Sequence, residues 1–336
     1  MKYHTIIAGA GPAGLACARV LGEAGKKVLI VEEKSVVGQK ICAGGITWSG
    51  ISRFLPPDLI EKSFPIQHLR TPRQRITLCS PFPLVSTVNR KKLGAWMLQQ
   101  ALEAGAEMVT ARVSGFSGNS VETSSGTFEG DYVVGADGSS STIRRLSGIP
   151  REKYGIGINY SVPGDFKNME WHLDYNLFGN GYAWIFPHRE CASIGVFAGH
   201  LSIKADRLKK NFHLWCKNRG INLDGLRLTA ALINYDYRGW RFGNLFLAGD
   251  AAGLASPLTG EGIYPGIISG EEIAKTILNR NHDQSVMQRL LKRHRFHLGM
   301  VEFTARSRLL CNLTTELAAL ALRSGVLPFN KIEMTG

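Results

Sequence analysis

A doubly wound α/β fold with a β-rich domain inserted into it and a helical region at its C-terminal end is predicted by three observations. The first is a strand, glycine turn, helix and strand in close succession near residue 1. The second is a change of pattern between about Ile156 and Arg241 to short strand-like runs and turns. The third is a return to strand, glycine-rich turn and long helix from Leu245, followed by helical, basic sequence after Asp283.

The elements follow from local chemistry. His4 to Ile7 reads as a short buried strand, Gly9 to Gly14 as a turn, Ala13 to Ala24 as a helix and Lys27 to Val31 as a second strand, which together make one βαβ unit. A further helix is expected over Lys91 to Ala104, with alternating strand-like segments after it up to Tyr132–Val134. One helix, near Ser202 to Asn218, interrupts the β-rich stretch. Strand Leu245–Leu247 then leads through a glycine-rich turn into a helix from about Tyr264 to Leu278. The assignment is a nucleotide-binding domain built from residues 1–60, 88–155 and 242–282, a substrate domain from 61–87 and 156–241, and a helical region from 283–336.

Composition narrows the class. The 336 residues are 44% hydrophobic and 20% charged, which suits a globular enzyme and excludes wholesale disorder. Forty Lys and Arg against 27 Asp and Glu give a net charge of +13, so an anionic partner is expected: phospholipid headgroups or a phosphorylated substrate. No zinc-finger or RNA-recognition signature accompanies the charge, and nucleic acid is not expected as a partner. The six cysteines form no CxxC pair, which argues against a metal site or a disulfide framework and favours a reducing cytoplasm. No run approaches the roughly 20 apolar residues that span a bilayer, so contact with a membrane is expected to be peripheral.

The chemistry begins at Gly9-Ala10-Gly11-Pro12-Ala13-Gly14. Gly9 permits a tight turn, Gly11 lets the backbone approach a pyrophosphate, Gly14 allows close helix packing, and the helix start at Pro12 and Ala13 supplies partial positive charge. Glu32, with Glu33 beside it, lies at the offset where a carboxylate meets a ribose hydroxyl. A dinucleotide site follows from these residues; which dinucleotide does not.

Two later motifs, VVGADGSSSTIRR (Val133 to Arg145) and NLFLAGDAAGLASPLTGEGIYPGIISG (Asn244 to Gly270), resemble those of the flavoprotein hydroxylase superfamily. That resemblance implies FAD rather than NAD. It places Gly249 and Asp250 at the ribityl and pyrophosphate region, Asp137 and Gly138 near the same pyrophosphate, and Arg90 as an arginine that contacts the cofactor. Taken alone, Asp137 and Asp250 read as turn or helix-cap residues. The turn Pro257-Leu258-Thr259-Gly260-Glu261-Gly262 precedes a long helix, so its backbone N–H groups are available to an anion or an electron-rich carbonyl. In the superfamily this segment faces the N1–C2=O edge of the flavin.

Two further segments are similar to the geranylgeranyl reductases. Gly181-Tyr182-Ala183-Trp184-Ile185-Phe186-Pro187 resembles their YxWxFP signature; Gly195 falls at the first glycine of the GxG that follows, and Phe197 replaces the second. On a strand Tyr182, Trp184 and Phe186 share one face and form an apolar wall suited to a hydrocarbon chain. Lys40-Ile41-Cys42-Ala43-Gly44-Gly45 resembles their K-P-C-G-G segment, with Ile41 and Ala43 as departures. The resemblance implies reduction of C=C bonds in an isoprenoid lipid, with Cys42, Tyr182 and Trp184 at the reacting end. NAD(P)H or a ferredoxin-like protein would be the electron donor. A flavin monooxygenase or halogenase acting on an aromatic substrate, and a non-catalytic flavin-binding regulatory protein, are the alternatives. The stretch Val286 to Leu310 interleaves Arg289, Lys292, Arg293, Arg295, Arg306 and Arg308 with apolar residues, and is the candidate for contact with an anionic membrane. Oligomeric state is not legible.

Overall fold

The protein is described by a computed structural model over residues 2–38, 42–50 and 55–335. Lys40 and Ile41 lie outside the described residues.

At the centre of the first layer, strand Lys2–Ala8 pairs in parallel with Gly126–Gly135 on one side and Val28–Glu32 on the other. Leu245–Leu247 and Glu107–Thr110 extend the parallel pairing outward. The inner segments 5–8 and 28–31 are covered on both faces and read as near-continuous apolar runs, and Ile6, Ile7, Ile30 and Val134 have no solvent exposure. Helix Pro12–Glu23 starts within the expected turn, and helix Ile263–Leu278 lies directly against it. The contact is close enough that a methyl group added at Gly270 would stand 2.1 Å from the Ala13 carbonyl oxygen. Helix Arg90–Glu103 begins with Asn89 as its cap, whose side chain accepts from the N–H groups of Lys91 and Lys92.

The second layer is a seven-stranded sheet among the described residues. Its order is Thr229–Asn234, Tyr154–Pro163, Cys191–Gly199, Tyr182–Pro187, Glu170–His172, Ile66–Arg70 and Arg75–Cys79. Pairing is antiparallel except between Glu170–His172 and Ile66–Arg70. Helix Ala205–Asn218 covers one face through Leu208, Phe212 and Trp215. The other face carries Trp184, Phe186 and Phe197. A small sheet of Gly45–Thr47, Val85–Val88 and Ile60–Phe64 stands beside it. The basic C-terminal stretch forms two helices, Ser285–Ala305 and Arg308–Arg323, followed by a short 3-10 turn at Phe329–Ile332. No helix among the described residues is long and apolar enough to cross a membrane.

Candidate functional site

A single cavity of about 660 Å³ runs from the glycine turn, past the aromatic strand, to the C-terminal helices. Gly11, Pro12, Ala13, Arg90, Gly138, Gly249 and Asp250 line one end, and Tyr182, Trp184, Phe186 and Phe197 line the middle.

At the first end the turn is held by sterics and one carboxylate. Gly9 has φ +104°, a conformation a side chain would strain, and a methyl group at Gly14 would lie 2.0 Å from the Gly9 carbonyl oxygen. Glu32 Oε2 accepts the Ala10 N–H at 2.7 Å, which places the carboxylate against the turn. Glu33 points elsewhere, toward Arg112 at 3.8 Å, and both of these side chains are exposed. Asp137 is consumed locally: it accepts from the Ser141 hydroxyl and, at 2.7 and 3.1 Å, from the Thr142 and Ile143 N–H groups, capping the helix Thr142–Leu146. Burial pushes its carboxyl up, and these hydrogen bonds oppose the shift. Asp250 accepts from the Ser139 hydroxyl at 2.8 Å.

Arg90 is different in kind. Its Nε and Nη1 are buried and have no hydrogen-bond partner among the described residues, and the residue lines the cavity end. Buried guanidinium donors without acceptors are costly, so this side chain suits an acceptor that the described residues do not provide. Together with a turn in which Gly11 leaves open space at the backbone, its nearest would-be contact being 3.9 Å away, these residues fit a dinucleotide.

In the middle of the cavity Tyr182, Trp184 and Phe186 form one continuous aromatic face, with successive ring centroids 5.9 and 6.1 Å apart. Trp171, which the sequence reasoning missed, joins it 4.8 Å from Phe186 and 5.3 Å from Tyr182. Only the pairing of Glu170–His172 with the signature strand makes that contact, and no motif announced it. Gly195 is required by packing, since a methyl group there would stand 2.3 Å from the Trp184 ring. Phe197 fills the second glycine position, its ring lying over Gly155 and toward Gly260.

The turn 257–262 closes this region. The Leu258 and Thr259 N–H groups donate to Ser256 Oγ, Gly260 N–H donates to Ser256 O, and Glu261 N–H donates to Thr259 Oγ1. The donors left for an anion are therefore those of Gly262 and Ile263 at the helix start, fewer than the sequence suggested. Pro257 is buried behind the turn. Ser256 is braced in turn by buried His297, whose imidazole burial holds well below its ordinary range, at about 3.

Three titratable groups meet here. The Tyr182 hydroxyl donates to the Thr259 carbonyl, and burial raises its pKa, with charge on Cys42 and Glu261 adding to the shift. Cys42 Sγ accepts a weak contact from Gly44 N–H at 3.4 Å. The Glu261 carboxyl faces the cavity, accepts the Met334 N–H at 3.2 Å, and lies 3.5 Å from the Thr47 hydroxyl. Burial, reinforced by the charge of Glu333, pushes it up to about 7. Sequence reasoning saw Glu261 only as part of a cofactor turn, because the burial comes from a C-terminal segment more than seventy residues away.

With this geometry in hand, likeness to known proteins sharpens the picture. A model of the Thi4 family matches residues 1–73. A digeranylgeranylglycerophospholipid reductase of Methanosphaera stadtmanae is 28% identical, over 89% of this chain and 84% of that protein. The chloroplastic geranylgeranyl diphosphate reductase of rice is 28% identical, over 82% of this chain and 66% of its own length. Over most of its length the chain is thus similar to proteins named as geranylgeranyl reductases. The expected α/β fold with its β-rich insertion recurs in a geranylgeranyl bacteriochlorophyll reductase-like protein from Thermoplasma acidophilum, with a TM-score of 0.80 at 20% identity and 98% coverage of both chains. It recurs also in the flavin-dependent brominase Bmp2, with a TM-score of 0.69 at 14% identity and coverage of 97% and 98%.

Proposed function

We propose that the protein is an FAD-dependent oxidoreductase that reduces C=C bonds of a geranylgeranyl-type lipid. The observation that carries this reading is the continuity of one cavity from the glycine turn and unpartnered Arg90 donors to an aromatic wall of Tyr182, Trp184, Phe186 and Trp171. The first end suits a dinucleotide and the second suits a long hydrocarbon, and relatives named as geranylgeranyl reductases support the pairing.

In this reading Gly11, Arg90, Gly138 and Asp250 would hold the cofactor, Glu32 its ribose through the turn it braces, and Gly262 and Ile263 N–H the flavin's electron-rich edge. Bound and reduced, FAD supplies a hydride. The aromatic wall aligns the alkene and keeps water out, which removes much of the entropic barrier. Glu261 holds a transferable proton near neutral pH beside Tyr182 and Cys42, and its carboxyl is the group assigned to protonate the second alkene carbon. NAD(P)H or a ferredoxin-like protein would be the electron donor, and the basic C-terminal stretch would bring the protein to an anionic membrane.

The test is anaerobic mixing of the reduced flavoprotein with a series of prenyl lipids, following flavin absorbance and product mass. Reoxidation with a gain of two hydrogens is expected; reoxidation by oxygen alone would remove the reductase reading. Anaerobic reduction by NADPH or by a reduced ferredoxin in the same apparatus distinguishes the donors.

Arg90 gives a second expected result. Arg90→Gln should weaken FAD binding by about 1.5–3 kcal/mol, the worth of hydrogen bonds from a charged donor, without lowering the thermal stability of the apoprotein. Titration calorimetry beside apoprotein melting checks it, and unchanged affinity would count against the assigned contact.

A further inference from the structure

The last long helix, Arg308–Arg323, is two-sided in an unusual sense: one side lines the cavity and the other is bare. Cys311, Asn312, Thr315, Ala319 and Leu322 face the cavity. On the other side Leu309, Leu313, Leu317 and Leu320 are 76%, 54%, 56% and 52% exposed. At 3.6 residues per turn these four leucines fall within an arc of about 80°. Ordinary surfaces scatter exposed apolar residues singly; a leucine stripe three turns long marks a contact surface.

Charge around the stripe is predominantly basic. Arg306 and Arg308 stand exposed at its start and Arg323 at its end. The hairpin that holds the helix adds exposed Arg73 and Arg75. The helix's one acidic residue, Glu316, is spent on that hairpin, accepting from the Thr71 hydroxyl at 2.9 Å and the Gln74 amide at 2.7 Å. Glu302 on the preceding helix is paired with Lys153. Leucines flanked by five arginines, against Glu316 as the one carboxylate there without a cationic partner among the described residues, match an acyl-chain boundary under anionic headgroups: apolar side chains enter and guanidinium groups stay at phosphate level.

We propose that the Leu309–Leu320 stripe docks this protein on an anionic lipid bilayer, so that the cavity behind the helix receives its hydrocarbon ligand from the membrane. The cavity half of this statement rests on the proposed prenyl-lipid function; the docking half stands on exposure and charge alone.

The experiment measures partition of the full chain into phosphatidylcholine vesicles with and without phosphatidylglycerol, by flotation, with no turnover involved. Binding is expected to the phosphatidylglycerol vesicles and to weaken as salt screens the arginines. The double variant Leu313→Gln/Leu317→Gln should lose about tenfold or more of that partition, since two apolar side chains would no longer enter the acyl-chain boundary. Leu102→Gln, at a leucine 44% exposed on helix Arg90–Glu103 of the first layer, should bind as the unaltered protein does. Arg306→Gln/Arg323→Gln should lower binding and its salt dependence together. Failure of the unaltered protein to bind, or equal binding by the leucine double variant, overturns the proposal. So does a dimer in sedimentation velocity that this double variant dissociates, which would make a second copy the occupant. Because turnover on detergent-dispersed prenyl lipid is scored separately, loss of vesicle binding leaves the reductase reading intact, and the reverse also holds.

Discussion

Gly11→Ala is expected to abolish tight FAD binding while leaving the apoprotein as stable as before, whereas Gly14→Ala should damage both. The two glycines are three residues apart in one turn, yet their surroundings differ. A methyl group on Gly11 would meet nothing closer than the Ala136 carbonyl oxygen at 3.9 Å, and Gly11 has φ −78°, which alanine adopts freely. That methyl group occupies only the space by which a pyrophosphate approaches the helix start. At Gly14 the methyl group would sit 2.0 Å from the Gly9 carbonyl oxygen, which is backbone and cannot swing aside. Helix Pro12–Glu23 must then lift from the first strand, at the ~1–3 kcal/mol typical of overpacking or more. The apoprotein melting temperature is expected to fall for Gly14→Ala and to hold for Gly11→Ala. FAD affinity should drop by about a hundredfold in both, since displacement of the phosphate cradle by a methyl group forfeits roughly two charge-assisted hydrogen bonds. Undiminished FAD affinity in Gly11→Ala would show that the cofactor phosphates lie elsewhere.

What could be read before the fold was seen, and what could not, follows from where the physics resides. Local order carried the parallel layer: the strand His4–Ile7, the turn and the helix are set by neighbours within twenty residues, and the observed elements begin and end within two or three residues of the expected ones. The aromatic face of Tyr182, Trp184 and Phe186 was legible for the same reason, because alternation along one strand fixes the face. Trp171 was not, since its place depends on which strands pair. The internal capping by Asp137 appears only once the Thr142 and Ile143 N–H groups are in place, although the bland reading of that aspartate as a helix cap was available from type alone. Glu261 was the most hidden. Its sequence neighbours describe a glycine turn, while its proton affinity is raised first by burial and then by the charge of Glu333, against the opposing Met334 N–H, and both of those residues are brought back by the chain at its far end. The leucine stripe is divided in the same way: the stretch recognisable by its interleaved arginines ends at Leu310, the third residue of the helix that carries the leucines.

Glu261→Gln is expected to lower turnover by about 10²–10⁴-fold, the usual worth of a positioned acid, with FAD still bound. The substitution keeps the shape and both hydrogen-bonding positions but holds no acidic proton. The pH dependence gives the sharper criterion. The carboxyl must be protonated to act, and its pKa is pushed up from 4.5 to about 7, so kcat should be highest below neutrality and fall as pH rises through about 7. In the variant that limb should vanish, leaving a low, flat profile. Stability gives a second readout of the same group. Its folded pKa lies above its unfolded value, so the unfolded chain releases this proton first as pH rises. The stability it contributes is fully present below about 4.5 and is lost as pH climbs through about 7. The difference in melting temperature between the protein and the Gln variant should therefore shift in the variant's favour across that window, whether or not substrate is present. Glu333 and Tyr182 also act on or face this carboxyl, and Glu333 is itself pushed up by burial, so Glu333→Gln should lower the pH at which the kcat limb falls. A Glu261→Gln enzyme that turns over within a few-fold of the original, with the alkaline limb unmoved, would make Cys42 or water the proton donor instead. A Cys42→Ala variant measured alongside separates those two, because only a thiol donor makes that change as damaging as the loss of the carboxyl was expected to be.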